Sequence, residues 1–326
     1  MAETDAIGRA TELARLRQVA SDRVYRFMAP TPLHCWPLLG ARCGAEVWVK
    51  HENHTPLGAF KMRGGLNYMA TLKAARPEIS GVVSATRGNH GQSIAFAAAR
   101  YGLRAVIVVP EGNSTEKNAA MRALGAELVV HGHDFQAASE HAHELAGRDG
   151  LHRVPSFDRA LVDGVASYGL EMFDARSDLD AVYVPVGLGS GICATIAARD
   201  LLSPATEIVG VVAAQAPCYA RSFAAGRPVS TNAADTVADG LAVRVPDAAA
   251  VAVIVKGAAR IVEVGEDEIA AATRHYHADT HNLAEPAAAA ALAALLVEKD
   301  RMAGRRVALV HTGSNVDLDL YRRLTA

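Results

Sequence analysis

The chain has 326 residues, half of them hydrophobic and 21% charged, with a formal net charge of −2. That length suits two domains or one large one, and the apolar content supplies a sizeable core. Both signs of charge are dispersed, so the basic stripe that holds nucleic acid or an anionic membrane is missing, and an anionic ligand must be met by local design.

Cys35, Cys43, Cys193 and Cys218 are scattered without a Cys-x-x-Cys pair. Buried free thiols are expected, not a disulfide framework or a structural zinc. The first residues carry acidic side chains and no signal-length apolar stretch, and no run of about 18 apolar residues occurs. A soluble cytoplasmic protein is expected.

Short β-branched runs alternate with Ala-rich helical patterns along the chain. Predicted strands are 46–50, 81–84, 105–109, 127–131, 181–185, 207–213 and 306–311. Predicted helices include 92–101, 116–124, 135–146, 191–202 and 284–299, and another opens at Lys61. Apolar strands separated by helices indicate an α/β fold with parallel sheets covered on both faces. The stretch 232–250, rich in small and turn residues, reads as a surface excursion, apart from its DGLAV segment.

Four segments carry chemistry. In KHENHTPLGAFKMRGG (50–65), Lys61 follows a Pro/Gly turn at a helix start. Gly58, Gly64 and Gly65 permit close backbone approach to a ligand, and the helix amino-terminal field disfavours an ammonium. Position alone does not separate Lys61 from a surface lysine. In SATRGNHGQS (84–93), a glycine-containing turn between strand and helix aims N–H groups past the strand's carboxyl end, which suits a carboxylate or phosphate. A helix capped by Asn89 or Ser93 reads equally well. In VPVGLGSGICATIAA (184–198), Gly187, Gly189 and Gly191 bracket Leu188 and Ser190 before a helix. This is neither a Walker loop nor a dinucleotide fingerprint; a single phosphate fits it better, with a plain tight turn as the rival. In LVHTGSNVD (309–317), Thr312, Ser314 and Asn315 end a strand at the edge where ligands of open α/β sheets collect.

In this order the four segments resemble the threonine/serine dehydratase branch of the fold-type-II pyridoxal-phosphate enzymes, the branch of threonine deaminases, serine racemases and hydroxyamino-acid dehydratases. The resemblance runs from Thr31 to Asp317. It implies a tryptophan synthase β-like α/β fold of two open, mostly parallel sheets flanked by helices. Residues 1–75 with 158–326 would form a larger cofactor-binding domain, and 76–157 a smaller mobile one. The family's Ser-Phe-Lys-x-Arg-Gly motif reads Ala59-Phe60-Lys61-Met62-Arg63-Gly64 here, so Lys61 is similar to the Schiff-base lysine, with Phe60 beside the cofactor. By the same carry-over Asn89 bonds the 3-hydroxyl, and Gly187, Leu188, Gly189, Ser190 and Gly191 form the phosphate cup. Gly240 lies along the ring, and Thr312 partners the pyridine nitrogen. Thr86, Arg87, Gly88, Asn89 and His90 would hold the substrate. A hydroxyl partner leaves the ring nitrogen largely unprotonated, which suits β-elimination.

Several departures shape the expected function. Arg87 stands where serine racemases carry their second-face serine, which argues against efficient racemisation; it contacts a substrate carboxylate or an extra acidic group, or it is merely solvated. The residues 213–217, AAQAP, lack the carboxylates through which some relatives bind a divalent cation, so no metal is expected. Only about ten residues follow Asn315, so a regulatory domain is not expected. His275, His277 and His281 read as surface or loop histidines. The expected activity is dehydration of a β-hydroxy-L-amino acid such as threonine or serine to a 2-keto acid and ammonia, in a homodimer whose only other partner is the small-molecule substrate. The alternatives are a specialised substrate (hydroxyaspartate, phenylserine or a hydroxyectoine breakdown product), a serine racemase, a β-replacement synthase, or a non-catalytic binding protein.

Overall fold

The computed structural model describes residues 2–326 and holds two sheets. The strands are β1 (Leu33–Cys35), β2 (Glu46–His51), β3 (Gly81–Ala85), β4 (Arg104–Val109), β5 (Glu127–Val130), β6 (His152–Arg153), β7 (Ala181–Pro185), β8 (Glu207–Ala213), β9 (Arg260–Val264) and β10 (Arg306–His311). The six-stranded sheet runs β1-β2-β10-β7-β8-β9, parallel except where β1 pairs antiparallel with β2. The four-stranded sheet runs β5-β4-β3-β6 and is parallel throughout. Every residue of β3 and of β7 is buried, as expected of strands covered by helices on both faces.

Seven predicted strands are present with ends within one residue of those expected. Three were missed. β6 is two residues long and follows from its pairing with β3, and β1 and β9 are half-exposed edge strands. Of the thiols, Cys43, Cys193 and Cys218 are buried but Cys35 is exposed. His275 is partly buried on the helix Glu266–Thr280, and His277 and His281 are exposed at its end. Among the described residues no helix is long and apolar enough to cross a membrane.

Helix crossings place the start of the helix Lys61–Ala75. A Cβ at Gly64 would lie 2.9 Å from Leu161 O, and one at Gly164 would strike Arg63 O, so this helix and Arg159–Ala175 touch backbone to backbone. Gly65 meets Ser93 on the helix Asn89–Arg100 in the same way, and Ser93 Oγ donates to Lys61 O at 2.6 Å. The glycine pair after Lys61 was expected to admit a ligand. It admits neighbouring helices instead, because only a missing Cβ allows crossings this close. Beneath lies a buried ionic knot: Arg63 bonds Glu52 at 2.7 Å and Glu171 at 2.6 Å, and Lys50 bonds Glu171 as well.

Candidate active site

The carboxyl ends of β3, β7 and β10 face a cleft of about 690 Å³; the residues expected to hold cofactor and substrate line it, whereas Gly58, Gly64, Gly65, Ser314 and Asn315 do not. The Lys61 side chain reaches this cleft, and its amine donates to Ser190 Oγ at 3.0 Å. The amine lies 4.9 Å from the Phe60 ring centre. Burial lowers its pKa to about 8 against an opposing pull from Glu285. Desolvation, not the helix field invoked from sequence, is the dominant cause. Phe60 is held edge-on to Tyr168, ring centres 6.2 Å apart, and the Tyr168 hydroxyl donates to Gly191 O at 2.8 Å.

After β7 the chain turns through Gly187, Leu188 and Gly189 into the helix Ser190–Leu202. Gly189 has φ +96°, a conformation that favours glycine. The N–H of Val186 bonds Val211 O and that of Cys193 bonds Gly189 O, but the N–H groups between them have no backbone acceptor among the described residues. A Cβ at Gly187 would strike Gly240 O, and one at Gly189 would lie 2.7 Å from Ala250 Cβ. The outcome is a concavity lined by free N–H groups at a helix N-terminus, suited to a phosphate.

Asn89 opens the helix Asn89–Arg100. Its Nδ2 donates to both Glu285 oxygens, at 2.8 and 3.1 Å, and its Oδ1 accepts from Asn315 Nδ2 at 2.8 Å. The amide is therefore fixed in one orientation. Burial pushes the Glu285 carboxyl up, against Lys117 and with help from Asp239. Lys117 bonds Asp239 at 2.5 Å and lies 3.9 Å from Glu285. Thr312, 5% exposed, follows β10 and lines the cleft.

Thr86 is buried, and its Oγ1 accepts from the N–H groups of Gly88 (3.0 Å) and Gly91 (3.3 Å). Its own proton is left to donate. The N–H groups of Asn89 and His90 have no acceptor among the described residues. His90 Nε2 is buried without a partner, and burial, with Lys61 adding repulsion, holds that imidazole down at about 3. Arg87 is exposed at the cleft.

Sequence reading missed Lys117, Glu285 and Arg153, and it placed the stretch 232–250 on the surface. Residues of that stretch from Asn232 to Asp247 wall the cleft, because the turn at Gly240 packs directly on Gly187. Glu285 showed only as a residue at the start of the predicted helix 284–299, and nothing local marked Lys117.

These residues fit pyridoxal phosphate. The free N–H groups and missing Cβ atoms of the Gly187–Gly191 turn leave room and donors for its phosphate, and an amine of lowered pKa stands beside that turn, bonded to Ser190 Oγ. A model of the family described as "Pyridoxal-phosphate dependent enzyme" matches residues 24–313. The biosynthetic L-threonine dehydratase of Pasteurella multocida is 34% identical over 311 residues, covering 94% of this chain and 60% of that protein. The L-threo-3-hydroxyaspartate ammonia-lyase of Saccharomyces cerevisiae is 29% identical over 306 residues and 94% of each chain. The solved structure of the processed form of threonine deaminase isoform 2 from Solanum lycopersicum superimposes with a TM-score of 0.89 at 31% identity, covering 97% of this chain and 93% of that one. The chain spans 60–62% of the length of the first curated relatives it matches. The family match reaches all four segments that build the cleft, and the chain belongs to the pyridoxal-phosphate dependent enzymes, with that cofactor and the fold-type-II architecture.

Proposed function

We propose that the chain is a carbon–nitrogen lyase that removes water from a β-hydroxy-L-amino acid, such as threonine or serine, and releases a 2-keto acid and ammonia. The enclosed Lys61 amine, lowered to about 8, carries this reading. Similarity to threonine dehydratases supports it.

Pyridoxal phosphate, when bound, supplies the electron-withdrawing ring that makes the α-proton of an amino acid removable. Lys61 would hold the cofactor covalently, the turn from Gly187 to Gly191 its phosphate, Thr312 its ring nitrogen, and Asn89, kept in register by Glu285 and Asn315, its 3-hydroxyl. Phe60 and Gly240 would flank the ring. When not bonded to the cofactor, the Lys61 amine would be neutral in a useful fraction near neutral pH and would take the proton from the substrate α-carbon. The Thr86 hydroxyl and the N–H groups of Asn89 and His90 hold the α-carboxylate, which sets the angle at which that proton faces Lys61. Arg87 brings no hydroxyl with which to return a proton, so net inversion is disfavoured. The same reading takes the unit 76–157 as one that closes on the cleft and excludes water. Ser114–Asp317, Lys117–Asp239 and Arg244–Asp134 contacts already cross between the sheets. It takes the enzyme as a cytoplasmic homodimer without a metal.

The test is 2-keto acid release from L-serine and L-threonine by the holoenzyme, with Lys61→Ala alongside. The variant should lose activity by about 10²–10⁴-fold and lose the visible cofactor band that borohydride abolishes in the parent. Undiminished release by the variant, or none from any β-hydroxy amino acid by the parent, would overturn the reading.

A further inference from the structure

Besides Lys61, two cations of the cleft are left without a counter-charge. Lys117 is matched by Asp239 at 2.5 Å, and Arg244 meets Asp134 at 3.5 Å. Arg87 and Arg153 also line the cleft, but among the described residues neither has a carboxylate within 4.0 Å. Arg153 donates only to Ser139 Oγ, at 2.9 Å. Asp134, also on the wall of the cleft, is spoken for by the N–H of Ala137 and by Arg244.

The two arginines also share an origin. β3 and β6 are parallel neighbours, with Val83 opposite Arg153. Arg87 leaves the turn after β3, so both side chains rise from the carboxyl edge of the smaller sheet, where ligands of such sheets bind. The α-carboxylate of an amino acid does not need them. The Thr86 proton and the free N–H groups of Asn89 and His90 already offer it donors.

We propose that Arg87 and Arg153 form a subsite for a second carboxylate, so that the preferred substrate is an acidic β-hydroxy amino acid. A guanidinium presents paired donors that match a carboxylate and rejects an uncharged methyl or hydrogen in its place. A neutral substrate leaves both cations without an anion. A dicarboxylic substrate neutralises that charge and is oriented at both ends. This rests on the dehydratase reading for its chemistry, but the subsite itself is testable by binding alone.

Binding is read from the cofactor absorbance of the holoenzyme titrated with L-aspartate and with L-alanine, which lack a β-hydroxyl to eliminate. The parent should bind aspartate at least about 10-fold more tightly, and Arg87→Ala or Arg153→Ala should reduce that preference by about 10–100-fold, the range for hydrogen bonds to a charged group. Arg87→Lys should restore part of it. In turnover, the ratio of kcat/KM for 3-hydroxyaspartate (threo and erythro forms) to that for serine should fall by the same factor, mainly through KM. Equal affinity of the parent for aspartate and alanine overturns the subsite, as does a preference that survives the double Ala variant. If no hydroxyamino acid is turned over while the aspartate preference holds and is lost in the variants, the dehydratase reading fails and the subsite stands. Both arginines are exposed, and retention of the cofactor band in each variant confirms that the fold is kept.

Discussion

At the scale of single residues, the motif around Lys61 combines two functions that one line of sequence does not separate. Lys61 faces the cleft, whereas Arg63, two positions on, is wholly buried and turned away from it. Arg63 donates to Glu52, Glu171, Ser167 and Thr31. Its guanidinium lies between two buried carboxylates, with Lys50 as the second cation. Removing one member of such a group leaves buried charge without compensation, which costs about 3–5 kcal/mol. Arg63→Met should therefore lower the unfolding free energy by about that amount, measured by urea denaturation of the holoenzyme. Arg63→Lys should recover only part of it, since an ammonium cannot span both carboxylates as a planar fork does. Equal stability of parent and Arg63→Met would mean that the knot only orients the Lys61 turn and adds nothing to the fold.

At the scale of elements, the crossing of the helices Lys61–Ala75 and Arg159–Ala175 sets where Lys61 stands. A Cβ on Gly164 would strike Arg63 O and lie 2.8 Å from Asn67 Cβ. Neither atom can yield without moving a helix. Gly164→Ala should thus destabilise by about 1–3 kcal/mol, in the range for overpacking, and should weaken retention of the cofactor because Lys61 moves with its helix. Gly147→Ala is the matching control, on the exposed side of the helix Phe135–Asp149 with nothing within 4 Å. It should stabilise by about 0.5–1 kcal/mol, the usual gain of alanine over glycine in a helix. Thermal melts of both variants check the pair. This crossing also shows where the sequence stops being legible. The strands 181–185, 207–213 and 306–311 announce themselves because each is an apolar run buried on both faces, and the glycine-rich turn after β7 follows from its composition. The helix Arg159–Ala175 went unread, because it is buried on most of its circumference and so carries no one-sided stripe. Lys117 went unread for another reason. It resembles any lysine in the first turn of a surface helix, and its partner Asp239 lies 122 positions away. The walls of the cleft are tertiary contacts of this kind, and local pattern does not encode them.

At the scale of the whole molecule, the interior holds three buried imidazoles, His51, His90 and His311. His51 ends β2 and His311 ends β10, in register with each other and stacked with ring centres 5.9 Å apart. Burial, with repulsion from neighbouring histidines, holds both at about 3, and His90 is held there as well. In the unfolded chain each returns to about 6.5. Between those values the unfolded state binds more protons than the folded one, so stability falls as pH drops below about 6.5. Glu285 acts in the opposite sense. Its carboxyl is raised on folding, so it keeps a proton that the unfolded state has lost, and acidification from about 7 favours the fold at that site. Three imidazoles outweigh one carboxyl. Near pH 5.5 the net is roughly two protons, or about 2–3 kcal/mol of stability lost per pH unit. Below the ordinary carboxylate range, Glu171 and Asp279, both lowered by their cationic partners in the fold, add to the loss. Urea unfolding of the holoenzyme at pH 7.5, 6.5 and 5.5 should show this steepening. His51→Gln, which keeps an acceptor for the Trp36 indole now bonded to Nε2 at 3.0 Å, should remove about one proton from the slope. A flat profile between 6.5 and 5.5 would mean that these imidazoles are charged in the folded protein, and the stack of His51 on His311 would then have to open to water.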